Sequence, residues 1–169
     1  KALCPLFGLP EDKIRVIQTE TGGGFGGKEE FPSVLAGHAG LLSWKAGKPV
    51  KLIYSRAEDM ACTTKRHPSY SKVKTAFDAD GKLLAIDFNF ALDGGAYATL
   101  SSVVLSRGTI HAAGPYRCEH VRIDAKAVAT NCPPHGAFRG FGAPQSIFAM
   151  ERHLDRAALK LGIEPQELR

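Results

Sequence analysis

Two short stretches hold the residues best placed to do chemistry. The first is Thr21-Gly-Gly-Gly-Phe-Gly-Gly-Lys28, glycine on both sides of Phe25. A backbone with so few Cβ atoms lets amide N–H groups approach an anion or an oxo group closely. Without such a purpose, a run this rich in glycine carries a large entropic cost on folding. The second is Ala137-Phe-Arg-Gly-Phe-Gly-Ala-Pro-Gln145. It repeats the layout of the first, with Phe beside Gly, exposed amides and then a helix start. Two such loops could converge on one anionic or oxo-bearing ligand, each contributing an aromatic wall.

The first loop fits two known patterns as well as a bland one. Gly22-x-Gly24-x-x-Gly27 matches the dinucleotide fingerprint, and Gly22-x-x-x-x-Gly27-Lys28 matches the start of a phosphate-binding P-loop. The P-loop reading stops at Glu29, a carboxylate where Ser or Thr would ligate magnesium. The dinucleotide reading needs an acidic residue at the tip of the second strand and a further βαβ unit. That position reads Tyr54-Ser55-Arg56, where Arg56 could only greet a 2′-phosphate, and a long hairpin follows. A glycine-rich turn with no ligand remains the third possibility.

The elements that position these loops follow from hydrophobic periodicity. Residues 13–18 alternate and are β-branched, so they predict a strand before the glycine loop. Residues 31–46 predict a helix, with Val34, Leu35, His38, Leu41, Leu42 and Lys45 on one face. Its small residues, Ala36, Gly37, Ala39 and Gly40, suit close packing on most sides. Residues 50–54 predict a second strand. Residues 72–93 predict a hairpin about the turn at 78–82, with Ile86, Phe88, Phe90 and Leu92 pointing one way. An irregular or short helical segment at 97–114 and a strand at 122–130 come next. The last helix starts with Pro144 at its first position and carries an apolar stripe of Ile147, Met150, Leu154, Ala157 and Leu161. Gly162 stops it, and Glu164-Pro165 begins another turn or helix. This order predicts an α+β fold, a mixed or antiparallel sheet with packed helices.

Composition excludes several classes. The chain has 169 residues, 44% of them hydrophobic and 23% charged, so it can bury a core and is not wholly disordered. The longest uncharged stretch, residues 31–44, is shorter than the ~18 residues that would suggest a membrane span. The net charge of +5 is spread along the chain, with Lys65-Arg66 the longest cationic run. That pattern fits a mildly basic surface or attraction of an anionic ligand better than a nucleic-acid groove. The 4 cysteines make no C-x-x-C pair, which fits reduced thiols in a cytoplasmic protein. His38, His67, His111, His120, His135 and His153 share no ligand spacing and read as structural or surface residues. The opening Lys1 and the lack of a secretory signal suggest a processed or excised piece of something larger.

The sequences at 21–29 and 137–145 together resemble the molybdenum-cofactor subunit of the xanthine dehydrogenase and aldehyde oxidase family. The resemblance continues through Asp93-Gly-Gly-Ala-Tyr97 and Ser106-Arg-Gly-Thr109 and covers the whole chain. It implies hydroxylation of a carbon of an aromatic heterocycle or aldehyde, with water as the oxygen source. The molybdenum would be held by the dithiolene of a molybdopterin, with no protein side chain on the metal. Phe25 and Gly26 match the first cofactor loop. Arg139, with Ala137 and Phe138, matches the second, and Phe141 matches a wall of the substrate pocket. Glu29 and Arg107 match the polar pair with which purine-acting members hold their substrate.

The same resemblance places a general-base Glu and a molybdenum-facing Gln outside this chain. Residues 1–169 are then expected to be part of the cofactor-binding region, an internal fragment with no catalytic residue of its own. The expected partners are the rest of the molybdenum subunit, iron–sulfur and FAD domains or subunits, and a small heterocycle or aldehyde. Neither nucleic acid nor membrane is expected. A non-catalytic remnant or assembly module of the same fold is the alternative.

Overall fold

The computed structural model describes residues 1–169. Strands Ser69–Phe77 (β1) and Leu83–Gly95 (β2) pair antiparallel as the expected hairpin. Asp78 Oδ1 closes the turn by accepting from the amides of Asp80 and Lys82 at 3.0 and 2.8 Å. Strand His120–Ala129 (β3) lies on the other side of β2 and runs parallel to it, so the sheet is mixed, in the order β1-β2-β3. A parallel neighbour requires a crossover. Helix Ser101–Ile110 (α4) lies in that connection, within the segment expected to be irregular or short helical.

The core forms where β2 meets the helices. Ile86, Phe88, Phe90 and Leu92 are buried on one face of the strand, as the alternation predicts. Val104 of α4 and Met150 and Leu154 of the last helix, Ala143–Leu161 (α5), close over them. The buried row on α5 is Ser146, Met150, Leu154 and Ala158, a straight i, i+4 ridge. The expected stripe therefore shifts: Ala158 replaces Ala157 at the core, and Leu161 is 37% exposed. Pro144 is the second residue of the helix, since Gly142 is its N-cap. A four-residue helix, Pro165–Leu168 (α6), ends the chain.

The first third departs from expectation in three places. A short helix Leu3–Phe7 (α1) and a 3-10 turn Glu11–Lys13 precede residues 14–24, which belong to no strand. Residues 50–54 are also unpaired. An alternating β-branched sequence specifies an extended backbone, but a strand also needs a hydrogen-bonded partner, and neither segment joins the sheet. The expected helix is present as Pro32–Ala46 (α2), yet only Gly37 is buried. Gly37 and Gly40 seat α1: a Cβ at Gly40 would stand 2.8 Å from Phe7 Cζ. Val34, Leu41 and Leu42 remain exposed, so the close packing is on one side only.

Tyr54-Ser55-Arg56 does not end a strand. Ser55 caps helix Arg56–Cys62 (α3) through a reciprocal capping box with Glu58, a Ser-x-x-Glu signature legible in the sequence. Arg56 pairs with Asp59 at 2.8 Å. The dinucleotide reading thus loses both of its strands.

Phe88 is 0% exposed at the centre of the core. Phe88→Ala should lower stability by about 3–5 kcal/mol. The check is the denaturant midpoint, with the slope unchanged.

Candidate functional site

In a parallel strand pair, the loops leaving the carboxyl ends open on the same side of the sheet. Here those ends are Asp93–Gly95 of β2 and Ala129 of β3. Asp93 ties them together: its Oδ1 accepts from Gly95 N at 2.9 Å and from Thr130 Oγ1 at 2.6 Å. These bonds, Thr130 first, hold the Asp93 carboxyl below its ordinary range. Gly95, at φ +76°, passes so close to the segment that leads from β3 into the second loop that a Cβ would collide with the Pro133 carbonyl.

The two candidate loops share their local backbone as well as their layout. Phe25 (φ 51°) and Phe141 (φ 54°) are the only non-glycine residues at positive φ, and each precedes a glycine also at positive φ. A bulky residue in that region costs on the order of 1–3 kcal/mol and persists only where its surroundings impose it. The surroundings here are direct contacts between the loops. A Cβ on Gly26 would come 3.0–3.1 Å from the backbone of Ala137 and Phe138. The second loop in turn presses on α4: a Cβ on Gly142 would lie 2.2 Å from the Val104 carbonyl oxygen and 3.0 Å from Gly108 N. The neighbours of Phe141 and Arg107 therefore touch.

Side chains not singled out in the sequence supply the rest of the frame. The Arg66 guanidinium donates to the Arg139 carbonyl at 2.7 Å and to Gln145 Oε1 at 3.2 Å, and sits 4.7 Å above the Phe138 ring. Gln145 Nε2 reaches back to the His67 carbonyl at 3.3 Å. His67 is 1% exposed, with Nε2 2.8 Å from Ser101 Oγ at the start of α4. Its ring lies 5.8 Å from that of His135. Burial, and then the charge of His135, push the His67 pKa below the ordinary histidine value. The Glu30 carboxylate accepts from Leu100 N at 2.7 Å and from Ala137 N at 3.3 Å. Arg66 reads in sequence as part of the Lys65-Arg66 surface charge and His67 as a structural or surface residue, and no motif or periodicity marks Glu30.

Most of the expected site residues come together. Phe25 is 66% exposed with the Arg139 guanidinium 5.6 Å over its ring. Phe138 is partly exposed under Arg66, and Phe141 is half-buried against the core. Ala137 is buried, its amide taken by Glu30. Arg107 stands exposed on α4 without a carboxylate partner. Glu29 is the outlier: its exposed side chain lines the cleft between the glycine loop and residues 11–21.

Over residues 1–169 the sequence matches the molybdopterin cofactor-binding domain family. The chain belongs to that family. Among its curated relatives are a probable xanthine dehydrogenase subunit of Bacillus subtilis and the nicotinate dehydrogenase large molybdopterin subunit of Eubacterium barkeri. The first is 46% identical over 99% of the chain and 22% of its own length. The second is 44% identical over 97% of the chain and 38% of its own length. The aldehyde oxidoreductase of Desulfovibrio gigas superposes with a TM-score of 0.83 at 34% identity, over 98% of the chain and 18% of that structure. The chain thus spans about two fifths or less of each of these relatives. No helix is long and apolar enough to cross a membrane.

The donor set is chemically suited to a molybdopterin. The amides of residues 22–26 and of Phe138, Arg139 and Gly140 have no acceptor within the chain. The Arg139 guanidinium has no carboxylate partner and stacks beside them. Such an array favours phosphate and oxo groups.

The loop contact makes the two glycines unequal. Gly26→Ala should cost roughly 1–3 kcal/mol, from the strained φ and the clash with the second loop. Gly22→Ala, which meets nothing within 4 Å, should stay within about 0.5 kcal/mol. Thermal unfolding of the two variants checks the contrast.

The buried histidine makes stability depend on pH. The folded-state pKa of His67 lies below its unfolded value, so its neutral form stabilises the fold. That contribution is present above the unfolded value of about 6.5 and is lost as pH falls through the folded value. His153 acts in the same direction, because burial, Arg156 and Lys160 lower its pKa too. Urea midpoints should fall between about pH 7 and about pH 5. His67→Gln should remove part of that slope and leave the share of His153.

Proposed function

We propose that the chain is the part of a molybdenum hydroxylase that brings two loops to the cofactor and substrate. The parent enzyme would oxidatively hydroxylate a carbon of a purine-type heterocycle or an aldehyde, with water as the oxygen source. The observation that carries this reading is the contact of Gly26 with Ala137 and Phe138, which joins two glycine-phenylalanine loops rich in free amides. When bound, molybdopterin supplies the oxygen-transfer and redox chemistry. Iron–sulfur and FAD domains or subunits would carry the electrons away. The general-base glutamate would come from elsewhere in the parent, so this chain on its own would turn over no substrate.

The roles of this chain's residues follow from their placement. The amides of Phe25 and Gly26, with the Arg139 cation, would bind the oxo and anionic groups of the cofactor. Ala137 and Phe138 would hold that loop in register, one by burial and the other beneath Arg66. Phe25 and Phe141 would face the planar ring of the substrate, where offset or edge contacts favour an aromatic heterocycle. Arg107 would stabilise negative charge that develops on the ring during attack. The carboxylate of Glu29, with no ion-pair partner in the chain, would accept hydrogen bonds from ring N–H groups.

With Glu29 as the acid and Arg107 as the base beside the bound ring, the site would favour a flat, oxo-substituted heterocycle over a simple aldehyde. The aldehyde leaves at least one of them unpaired once water is excluded, at about 1–3 kcal/mol. In the parent enzyme, Arg107→Met should lower kcat/KM for xanthine or hypoxanthine by roughly 100-fold or more. Oxidation of benzaldehyde should fall much less. Equal losses on both substrates would mean that Arg107 holds the fold and does not read the substrate.

A further inference from the structure

We infer that Glu30 is a positioning residue: one carboxylate locks the glycine loop, the start of the Arg107 helix and the second loop into a fixed mutual geometry. The inference rests on the function proposed above for what it positions, but the lock itself is a matter of this chain's geometry.

Each oxygen of Glu30 serves a different element. Oε1 accepts from the amide of Leu100, the N-cap residue of α4, at 2.7 Å. Oε2 accepts from the amide of Ala137 at 3.3 Å. Both partners are donors, so the group between them must accept at both ends. An ionised carboxylate does this and a carboxamide does not, because its NH2 would face one of the N–H groups. The three anchor points stand beside the residues of the proposed site. Glu30 follows Glu29, Leu100 lies about two helical turns before Arg107, and Ala137 lies in the loop of Phe138, Arg139 and Phe141.

Gly136 carries the complementary half of the arrangement. A Cβ there would collide with Glu30 Oε2 and stand 2.9 Å from both Glu30 Cδ and Thr64 Cβ. Gly136 is not at positive φ, so the reason for glycine there is room: Glu30 fills most of the space a Cβ would take, and Thr64 closes the rest. Gly136 N is itself held by the Lys65 carbonyl at 3.0 Å, so the loop cannot move aside without losing that bond. The carboxylate can hold this position only with glycine at 136.

The test uses the parent enzyme, with Glu30→Gln, Glu30→Ala, Gly136→Ala and the double variant Glu30→Ala/Gly136→Ala. Hydrogen exchange is followed by mass spectrometry in peptides that span Leu100 and Ala137, alongside molybdenum content and steady-state kinetics. In Glu30→Gln, at least one of the two peptides should exchange about tenfold faster, the loss of one charge-assisted bond. Its kcat should fall about tenfold with KM changed far less, since displaced groups act most strongly in the transition state. Gly136→Ala should also speed exchange at the Ala137 peptide by displacing the carboxylate, and the double variant should lose less than the sum of the two single changes, because both act on the same contact. Unchanged exchange at both peptides in Glu30→Gln, or fully additive losses in the double variant, would overturn the proposal. Faster exchange with kcat unchanged would overturn the positioning role. Exchange does not depend on which substrate the enzyme takes, so a failed Arg107→Met comparison leaves this result separately readable.

Discussion

Two backbones meet without side chains between them where Gly26 lies against Ala137 and Phe138. Nearly everything else about the site depends on that approach. It fixes the spacing of the two loops, and so the spacing of their free amides. Beside it stand Phe25 and Phe141, both held in left-handed conformations that cost a bulky residue on the order of 1–3 kcal/mol. A Cβ at Gly26 would force the loops apart, and the contacts of Glu30 and Arg66 would have to lengthen to follow.

The scaffold beneath the loops is rigid for an ordinary reason. A central strand with four apolar side chains on one face is covered by two helices, and its parallel neighbour brings a second loop out beside the first strand's end. Asp93 and Thr130 then tie the two strand ends by charge-assisted bonds. The strained loops are held above this frame by a polar layer of Glu30, Arg66, His67, Ser101 and Gln145, each bridging elements far apart in sequence. The arrangement sets loops that carry chemistry on fixed supports, as binding loops on a packed scaffold commonly are.

Much of this was legible in the sequence. The alternation from Ile86 to Leu92 specified the buried face of β2, because a strand's side chains must alternate. The Asp78 turn specified the hairpin, and the period of α5 with Gly162 after it specified a helix and its end. The glycine runs and their phenylalanines pointed to an anion- or oxo-binding pair of loops, and their resemblance to molybdenum hydroxylases agrees with the family to which the chain belongs. These signals are local: propensity, periodicity and turn chemistry act within a few residues.

What the tertiary structure alone decided is non-local. Residues 13–18 and 50–54 have strand-like sequences and no partner, since a ladder depends on a second segment that no local pattern reports. The parallel placement of β3 depended on the crossover through α4. Glu30 and Glu29 are adjacent and chemically identical, yet one bridges two backbones and the other stands exposed over a cleft. The roles of Arg66 and His67 likewise appear only once residues more than thirty positions away are folded against them. A hydrogen bond across a fold depends on the positions of both ends, and the sequence around either end specifies only one.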